Sequence, residues 1–121
     1  MKLEKLALIL ARINGGLNPD SEAFRLNNPG LLKAFGKHIT EAVNGFRVFA
    51  SWEAGFHALV HDLGVKCSGK SRTFLKASSP LRDLLALWDI KEPRKVSGYV
   101  SRAIGAEVTP ETPLSFFMEV Q

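Results

Sequence analysis

The spacing of apolar residues predicts a helix at the N-terminus. Apolar side chains recur every three or four positions, as on one face of an amphipathic helix, at Leu3, Leu6, Ala7, Ile9, Leu10 and Ile13. The pair Gly15-Gly16 follows this run and predicts its end, since glycine is the common residue just past a helix. The first element is therefore a helix that ends close to residue 14.

The second half of the chain has the same helical character. Ser51 is a suitable N-cap, an apolar stripe runs from Trp52 to Leu63, and Gly64 is expected to end that helix. Two further helices are expected, one beginning at Ser79-Pro80 and one beginning at Pro93 and closed by Gly105. The last twelve or so residues predict one more short helical segment.

The segment between these helices is polar at first and then strand-like. Residues 14–30 are rich in Asn, Gly and Pro, which predicts a long ordered loop. Residues 31–36 (LLKAFG) and 45–51 (GFRVFAS) have the short patterns of strands, and KHITEAVN would connect them. This order of elements predicts a single α+β domain over residues 1–121, mainly helical with one small β-hairpin.

Composition narrows the class of protein without selecting a partner. The 121 residues are 45% hydrophobic and 23% charged, as in globular domains, and the net charge is +4. The basic residues are scattered, so the charge favours an anionic partner in general, and we expect no nucleic-acid partner. Glu4 and the lack of a small-residue cleavage site argue against a signal peptide, and no apolar run could span a bilayer. We therefore expect a cytoplasmic site of synthesis and no membrane span.

Residues 64–71 (GVKCSGKS) match the phosphate-loop pattern G-x-x-x-x-G-K-[ST]. In a phosphate loop, backbone amides and the lysine hold the phosphates, and the loop follows a buried strand. The preceding residues here, FHALVHDL, have helical spacing, so we interpret the match as a basic loop between two helices. We expect no cofactor, and nucleotide binding stays the weakest hypothesis. Cys67 has no indicated histidine partner and is interpreted as a small buried or incidental residue.

Three stretches carry a resemblance to a known family. They are FRLNNPGLLKAFG, then GFRVFASWEAGFHAL, then LLALWDIKEPRKVSGYV. In order and approximate spacing they resemble lysozyme-like proteins of phages and prophages, in which RNNNPGNLR precedes GFAVF-x-x-PEAG and W-x-P-x-x-N-x-x-x-Y. The resemblance covers about residues 4–115. It implies a lysozyme-like α+β fold with a peptidoglycan cleft, and a protein that is made in the bacterial cytoplasm and can be carried in a virion.

The resemblance also implies a catalytic position that this chain does not fill. In the family, the general-acid glutamate ends the first helix, and the family's spacing back from Pro29 reaches Asn14. An amide cannot deliver the proton that glycosidic cleavage requires. Asp20 and Glu22 lie in the same loop and could substitute, and Glu53 matches a family position in the WEAG stretch. Each of these three acids also has an ordinary structural explanation, in a turn or in the first turn of a helix.

Other positions are candidates for holding a glycan. Asn27, Asn28 and Gly30 match the family's entrance to the cleft, where amides could bind sugar hydroxyls, although a turn-forming role is equally open. Phe46, Phe49 and Trp52 could offer rings to sugars or could belong to the core. Trp88 and Tyr99 match later positions of the family pattern, and we interpret them as packing between the C-terminal helices. His57 and His61 share a helical face with Glu53, but HALVH lacks the glutamate of HExxH, and we expect no metal.

Two hypotheses remain besides nucleotide binding. The first is a lysozyme-like phage or prophage protein that has kept the cleft and lost the general acid, and that binds peptidoglycan or other virion proteins. The second is an active muramidase or lytic transglycosylase that uses another carboxylate. Fold class does not decide between them, so the residues around Asn14 must.

Overall fold

The computed structural model describes residues 1–34 and 42–119. The chain is mixed, with helices and a small antiparallel sheet, which confirms the predicted α+β character at that level. The elements in chain order are α1 (Lys2–Ile13), α2 (Glu22–Arg25), β1 (Ala42–Val43), β2 (Phe46–Arg47), α3 (Trp52–Cys67), α4 (Leu81–Ala86), α5 (Pro93–Ile104) and a 3-10 helix (Leu114–Met118). Two compact units can be distinguished, Met1–Ile9 with Asp62–Gln121, and Leu10–His61.

The predicted end of the first helix is confirmed, and both glycines contribute to it. Gly15 has φ of 85°, the left-handed conformation that glycine adopts without a steric penalty. Its N–H donates to Arg12 O, and the N–H of Gly16 donates to Ala11 O, which together form a Schellman cap. Asn14 is therefore the C-cap residue of α1, at the point where the helix gives way to the loop.

The polar loop contains a short helix that the sequence pattern did not predict. Ser21 caps α2, since its Oγ accepts from the N–H of Phe24, and the Ser21 hydroxyl also donates to Gly15 O. Ala23 and Leu26 are buried under this turn. The loop is thus folded against the end of α1 by its own side chains, as expected for a long ordered loop in a compact domain.

The prediction for the hairpin is confirmed only in part. β1 lies within the segment that was expected to be the connection, and it pairs with β2 through Val43 with Phe46 and Ala42 with Arg47. Asn44 and Gly45 both have positive φ, so this pair forms the two-residue turn that hairpins favour. The expected strand at residues 31–36 does pair with β2, through the bridge from Lys33 to Phe46 and the hydrogen bonds from Ala34 N to Gly45 O and from Arg47 N to Leu32 O. Residues 35 and 36 lie outside the described residues.

The helix that follows is longer than expected. Ser51 caps its start as predicted, with Oγ accepting from the N–H of Ala54 at 3.1 Å. Gly64 does not end it. α3 continues to Cys67, and the positive φ falls at Gly69, five residues further on than Gly64. The prediction chose the first glycine after the apolar stripe, whereas the chain uses the second.

The unit that includes the C-terminal residues has an aliphatic core. α5 has the predicted bounds, with Pro93 at its start and Gly105 at φ 80° after its end, and the C-terminal helical segment is a 3-10 helix. The stretch PLRDLLALWDI was expected to be helical throughout, but α4 ends at Ala86, before Trp88 and Asp89. A β-bridge between Pro80 and Pro113 joins the start of α4 to the C-terminal segment. The core comprises Leu3, Leu6, Leu63, Cys67, Leu75, Leu81, Leu84, Leu85, Val96, Val100, Ile104, Val108, Leu114 and Phe117.

Candidate functional site

The position expected for a general acid is occupied by a hydrogen-bond donor. Asn14, at the end of α1, donates from Nδ2 to the carbonyl oxygen of Pro29 at 3.2 Å. The two residues are joined by the loop, and this bond closes it. A carboxylate at the same place would have no hydrogen to give, and its oxygen would face the oxygen of Pro29. The amide of Asn14 therefore has a structural task that an ionised glutamate could not perform.

Residues 27–30, which we name the NNPG corner, lie very close to the end of α1. A Cβ on Gly16 would be 2.7 Å from Cβ of Pro29 and 2.9 Å from the oxygen of Ala11, so only glycine fits there. The carbonyl of Gly16 accepts from Nε1 of Trp52 at 2.8 Å, which ties the first turn of α3 to the same place. The end of α1, the corner and the start of α3 are thus fixed to one another within this unit.

Asn28 is the buried centre of the corner. Its side chain is fully inaccessible, and Nδ2 donates to the carbonyls of Leu32 and Arg47, both at 3.0 Å. Its Oδ1 accepts from the N–H of Leu32 at 2.9 Å. Both donors and the acceptor of the amide are thus used inside the protein. Glycan binding by Asn28 stays a prediction, and a direct contact would require the corner to open, because the whole residue is buried.

The remaining corner residues make equally close contacts with α3. Asn27 has φ of 53° and donates from Nδ2 to Phe49 O at 3.0 Å, while a Cβ on Gly55 would be 1.9 Å from Asn27 O. A Cβ on Gly30 would be 2.7 Å from Cδ1 of Leu59. Leu31 follows with φ of 48°, a strained conformation for a bulky side chain, and its N–H donates to Asn28 O at 2.9 Å.

The three candidate acids differ in exposure and in hydrogen bonding. Asp20 and Glu53 are exposed, and neither side chain forms an ion pair or hydrogen bond with the residues described. Glu22 is half-buried, and its Oε1 accepts from Nδ2 of Asn44 at 3.2 Å, which links α2 to the hairpin turn. The arrangement gives Glu22 a structural partner and leaves the other two carboxylates in water.

The candidate aromatic residues are half-buried and take part in ring contacts. The guanidinium of Arg47 lies 4.5 Å from the ring centre of Phe49, and Trp52 stacks on Phe56 at 5.2 Å. Phe46 belongs to β2 and pairs with Val43. These rings therefore contribute to packing, and each keeps part of its surface in solvent.

The phosphate-loop match in residues 64–71 has a different geometry from a phosphate cradle. Its first four residues are helical, and the N–H groups of Gly69 and Lys70 donate to the carbonyls of Lys66 and Val65. These two bonds form a Schellman cap on α3. The N–H groups of Gly69 and Lys70 are thus already bonded to the helix. The interpretation of the match as a loop between two helices is correct only for its second half, because residues 64–67 belong to α3.

The cysteine is buried, whereas the two candidate histidines are exposed. Burial raises the pKa of the Cys67 thiol to about 12, so the reactive thiolate is scarce at neutral pH. His57 and His61 are exposed on α3, and no three His, Cys, Asp or Glu residues among those described are placed to hold a metal ion. Residues 1–34 and 42–119 also contain no helix long and apolar enough to cross a bilayer.

Two close approaches around the NNPG corner were not predicted, and one of them had a signal in the sequence. Gly16 and Gly55 hold the corner by lacking side chains. A glycine inside a helical pattern costs about 1 kcal/mol, so Gly55 itself indicated that another part of the chain approaches α3 there. Comparison with known proteins adds nothing further, since no family model, curated protein or solved structure matches the chain.

Proposed function

We propose that this chain is a lysozyme-like protein of phage or prophage type that binds a peptidoglycan-type glycan without cleaving it. The observation that carries the proposal is the hydrogen bond from Asn14 to Pro29. The family resemblance places a proton donor at this position, and the chain has there an amide with a structural partner. In this proposal the general acid has been replaced by an amide that closes the loop through its hydrogen bond to Pro29.

The chemistry of glycosidic cleavage supports a non-catalytic role. The general acid must stay protonated near neutral pH, which requires apolar surroundings, and a second carboxylate must lie at a defined distance from it. Asp20 and Glu53 are exposed, and Glu22 is bonded to Asn44. None of the three candidates has the environment that this chemistry needs, so we favour binding over an active muramidase or transglycosylase.

The wider features of the family belong to the same proposal. They are a lysozyme-like fold over one domain, a glycan cleft beside the NNPG corner, and contact with other virion proteins. The order of a first helix, an ordered polar loop, a small hairpin and further helices supports them. In this proposal the corner positions the cleft, and glycan contacts come from the solvent-facing parts of the loop and of the half-buried rings.

Purified peptidoglycan provides the test, with binding and cleavage measured separately. The unmodified protein should sediment with the polymer and should not clear a turbid suspension of it. Asn14→Glu supplies a carboxyl at the helix end and should gain clearing, since a general acid contributes roughly 10²–10⁴-fold. Asn14→Gln is the matched control, with the same length and no acid, and should not clear.

Two outcomes would overturn the proposal. Failure of the folded protein to sediment with peptidoglycan would refute glycan binding. Clearing by the unmodified protein, abolished by Asp20→Asn, Glu22→Gln or Glu53→Gln, would identify an active hydrolase instead. Circular dichroism of each variant shows whether the fold has been kept. A folded Asn14→Glu protein that binds without clearing would leave binding intact and show that the acid alone does not restore cleavage.

A further inference from the structure

The segment after α3 presents an exposed ring among basic residues. Phe74 is 65% exposed, the highest value among the large apolar side chains that the structure describes. Lys70, Arg72 and Lys76 stand at alternate positions on either side of it and are exposed as well. We name residues 70–76 the basic tip. An apolar ring left in water beside three cations lacks any explanation in the packing of its own unit.

The exposure of Phe74 is fixed by the residues next to it. Leu75 is 2% exposed and belongs to the core, so the adjacent ring cannot turn inward without displacing it. The chain is held before the tip by the cap at Gly69, where an added Cβ would be 2.9 Å from Ala77 N. It is held after the tip by the N–H of Lys76, which donates to Ser79 Oγ at 2.9 Å. The tip is thus anchored at both ends.

The charge of the tip is not neutralised within the described residues. Residues 64–82 contain no Asp or Glu and five Lys or Arg. Lys66 pairs with Asp62, and Arg82 pairs with Glu111. The three basic side chains of the tip form no ion pair and no cation–ring contact with the residues described. They remain available to an anionic partner, and salt would weaken such a contact.

We propose that the basic tip docks the protein onto an anionic lipid surface, with Phe74 entering the headgroup boundary and the cations facing lipid phosphates. A fluid bilayer adapts to one inserted ring and to separate charges around it. A single-stranded nucleic acid instead requires a groove with stacking rings along it. In the described part of this unit, Phe74 is the one aromatic ring that is exposed. The observations therefore favour a lipid surface over a nucleic acid.

The expected strength follows from the groups involved. Each Lys or Arg close to an anionic surface raises binding about fivefold, so three together give about a hundredfold. Transfer of the exposed ring contributes roughly a further tenfold. Binding of this kind is reversible and falls steeply with ionic strength. It is independent of the proposed glycan binding, which involves the other unit.

Vesicle sedimentation tests the proposal. We expect the full chain to bind vesicles of equal parts phosphatidylglycerol and phosphatidylcholine, and to bind pure phosphatidylcholine far less. Phe74→Ser should lower binding about tenfold, whereas Leu87→Ser, which also changes an exposed apolar residue, should not. The pair Lys70→Gln and Arg72→Gln should lower it about twentyfold or more. Arg94→Gln with Lys95→Gln on α5 removes the same charge and should have little effect.

Each other result has a definite meaning. Equal losses in the tip and α5 pairs would show general charge attraction and overturn docking through the tip. Equal binding to both kinds of vesicle would overturn the requirement for anionic lipid. Absence of vesicle binding, together with binding of a single-stranded oligonucleotide that Phe74→Ser abolishes, would replace the lipid with nucleic acid. Phe74→Ser should still sediment with peptidoglycan, so the two proposals fail independently.

Discussion

Replacing Asn14 by aspartate changes only the side-chain NH2 group, which donates the hydrogen bond that closes the loop. The side chains have nearly the same size, so packing at the end of α1 is kept. The NH2 group that donates to Pro29 O at 3.2 Å becomes an oxygen. At neutral pH the variant has two acceptors facing each other and no hydrogen between them. Asn14→Asp therefore measures what the donor contributes.

The expected cost at neutral pH is about 2 kcal/mol of unfolding free energy. About half comes from the lost hydrogen bond and about half from a partly buried acceptor left unsatisfied. For a domain of this size the change corresponds to a fall in melting temperature of roughly 8 °C. Because Asn14 is only half-buried, water can hydrogen-bond to the unsatisfied acceptor and reduce its cost. The value of about 2 kcal/mol is therefore an upper bound.

The cost should depend on pH in the direction opposite to that of an ordinary salt-bridged carboxylate. A protonated aspartic acid can again donate to Pro29 O, so folding raises the pKa of the new carboxyl above its unfolded value of about 3.9. The folded state then binds more protons than the unfolded state in that window. Stability is kept below the unfolded pKa and is lost as the pH rises through the folded pKa.

Urea unfolding between about pH 4 and about pH 7 measures this, as the difference between variant and unmodified protein at each pH. A negative charge at a helix C-terminus also destabilises, by about 0.3–1 kcal/mol. Ile13→Asp compared with Ile13→Asn provides the control, since Ile13 is an exposed residue at the same helix end. A pH dependence for Asn14→Asp no larger than this control would refute the reasoning.

Three other predictions follow from features described above. Gly55→Ala should lower the free energy of unfolding by more than about 3 kcal/mol or prevent folding, because its Cβ would collide with Asn27 O. Gly98→Ala meets nothing within 4 Å and should be neutral or stabilising by up to about 1 kcal/mol. Thermal melts compare the two variants, and equal effects would contradict the close approach at Gly55. Cys67 should react with iodoacetamide at about pH 8 roughly a thousandfold more slowly than a free thiol, since its pKa is about 12; fast labelling of the folded protein would contradict its burial. Mg·ATP should not raise the melting temperature of the unmodified protein or of Lys70→Ala, since the amides of the phosphate-loop match cap α3. A rise in the unmodified protein that is absent in Lys70→Ala would support the nucleotide hypothesis.

Local sequence signals predicted the elements whose ends are decided locally. Gly15 after α1, Pro93 at the start of α5 and Gly105 after it all act through the backbone conformation of their own residues. The hairpin also had such a signal in Asn44-Gly45, which the prediction did not use. It predicted the pairing of residues 31–36 with β2, which the bridge from Lys33 to Phe46 bears out in part, and it missed β1. The choice between Gly64 and Gly69 as the end of α3 could not be made from spacing alone.

The sequence offered Asn14 as a candidate site only through the family resemblance, and this stays a prediction. The hydrogen bonds that the candidate residues make could not be predicted from the sequence. The partner of Asn14, Pro29, and the partner of Asn28, Arg47, are distant in the chain, and no local rule indicates that these atoms meet. The sequence left a turn-forming role for Asn28 open beside sugar binding. In the structure both the NH2 group and the oxygen of its side-chain amide are hydrogen-bonded to the backbone.

The bonds of Asn28 also determine how this part of the molecule opens. Its amide accepts from Leu32 N and donates to Arg47 O, while Arg47 N donates to Leu32 O, so three backbone segments meet at one buried side chain. Releasing β2 would leave the amide unsatisfied in the interior, and so would releasing the loop. The two segments must then separate in one cooperative event, and their amide hydrogens should exchange with solvent at a common rate. One side chain thereby makes a long polar loop and a very short hairpin into a single foldon.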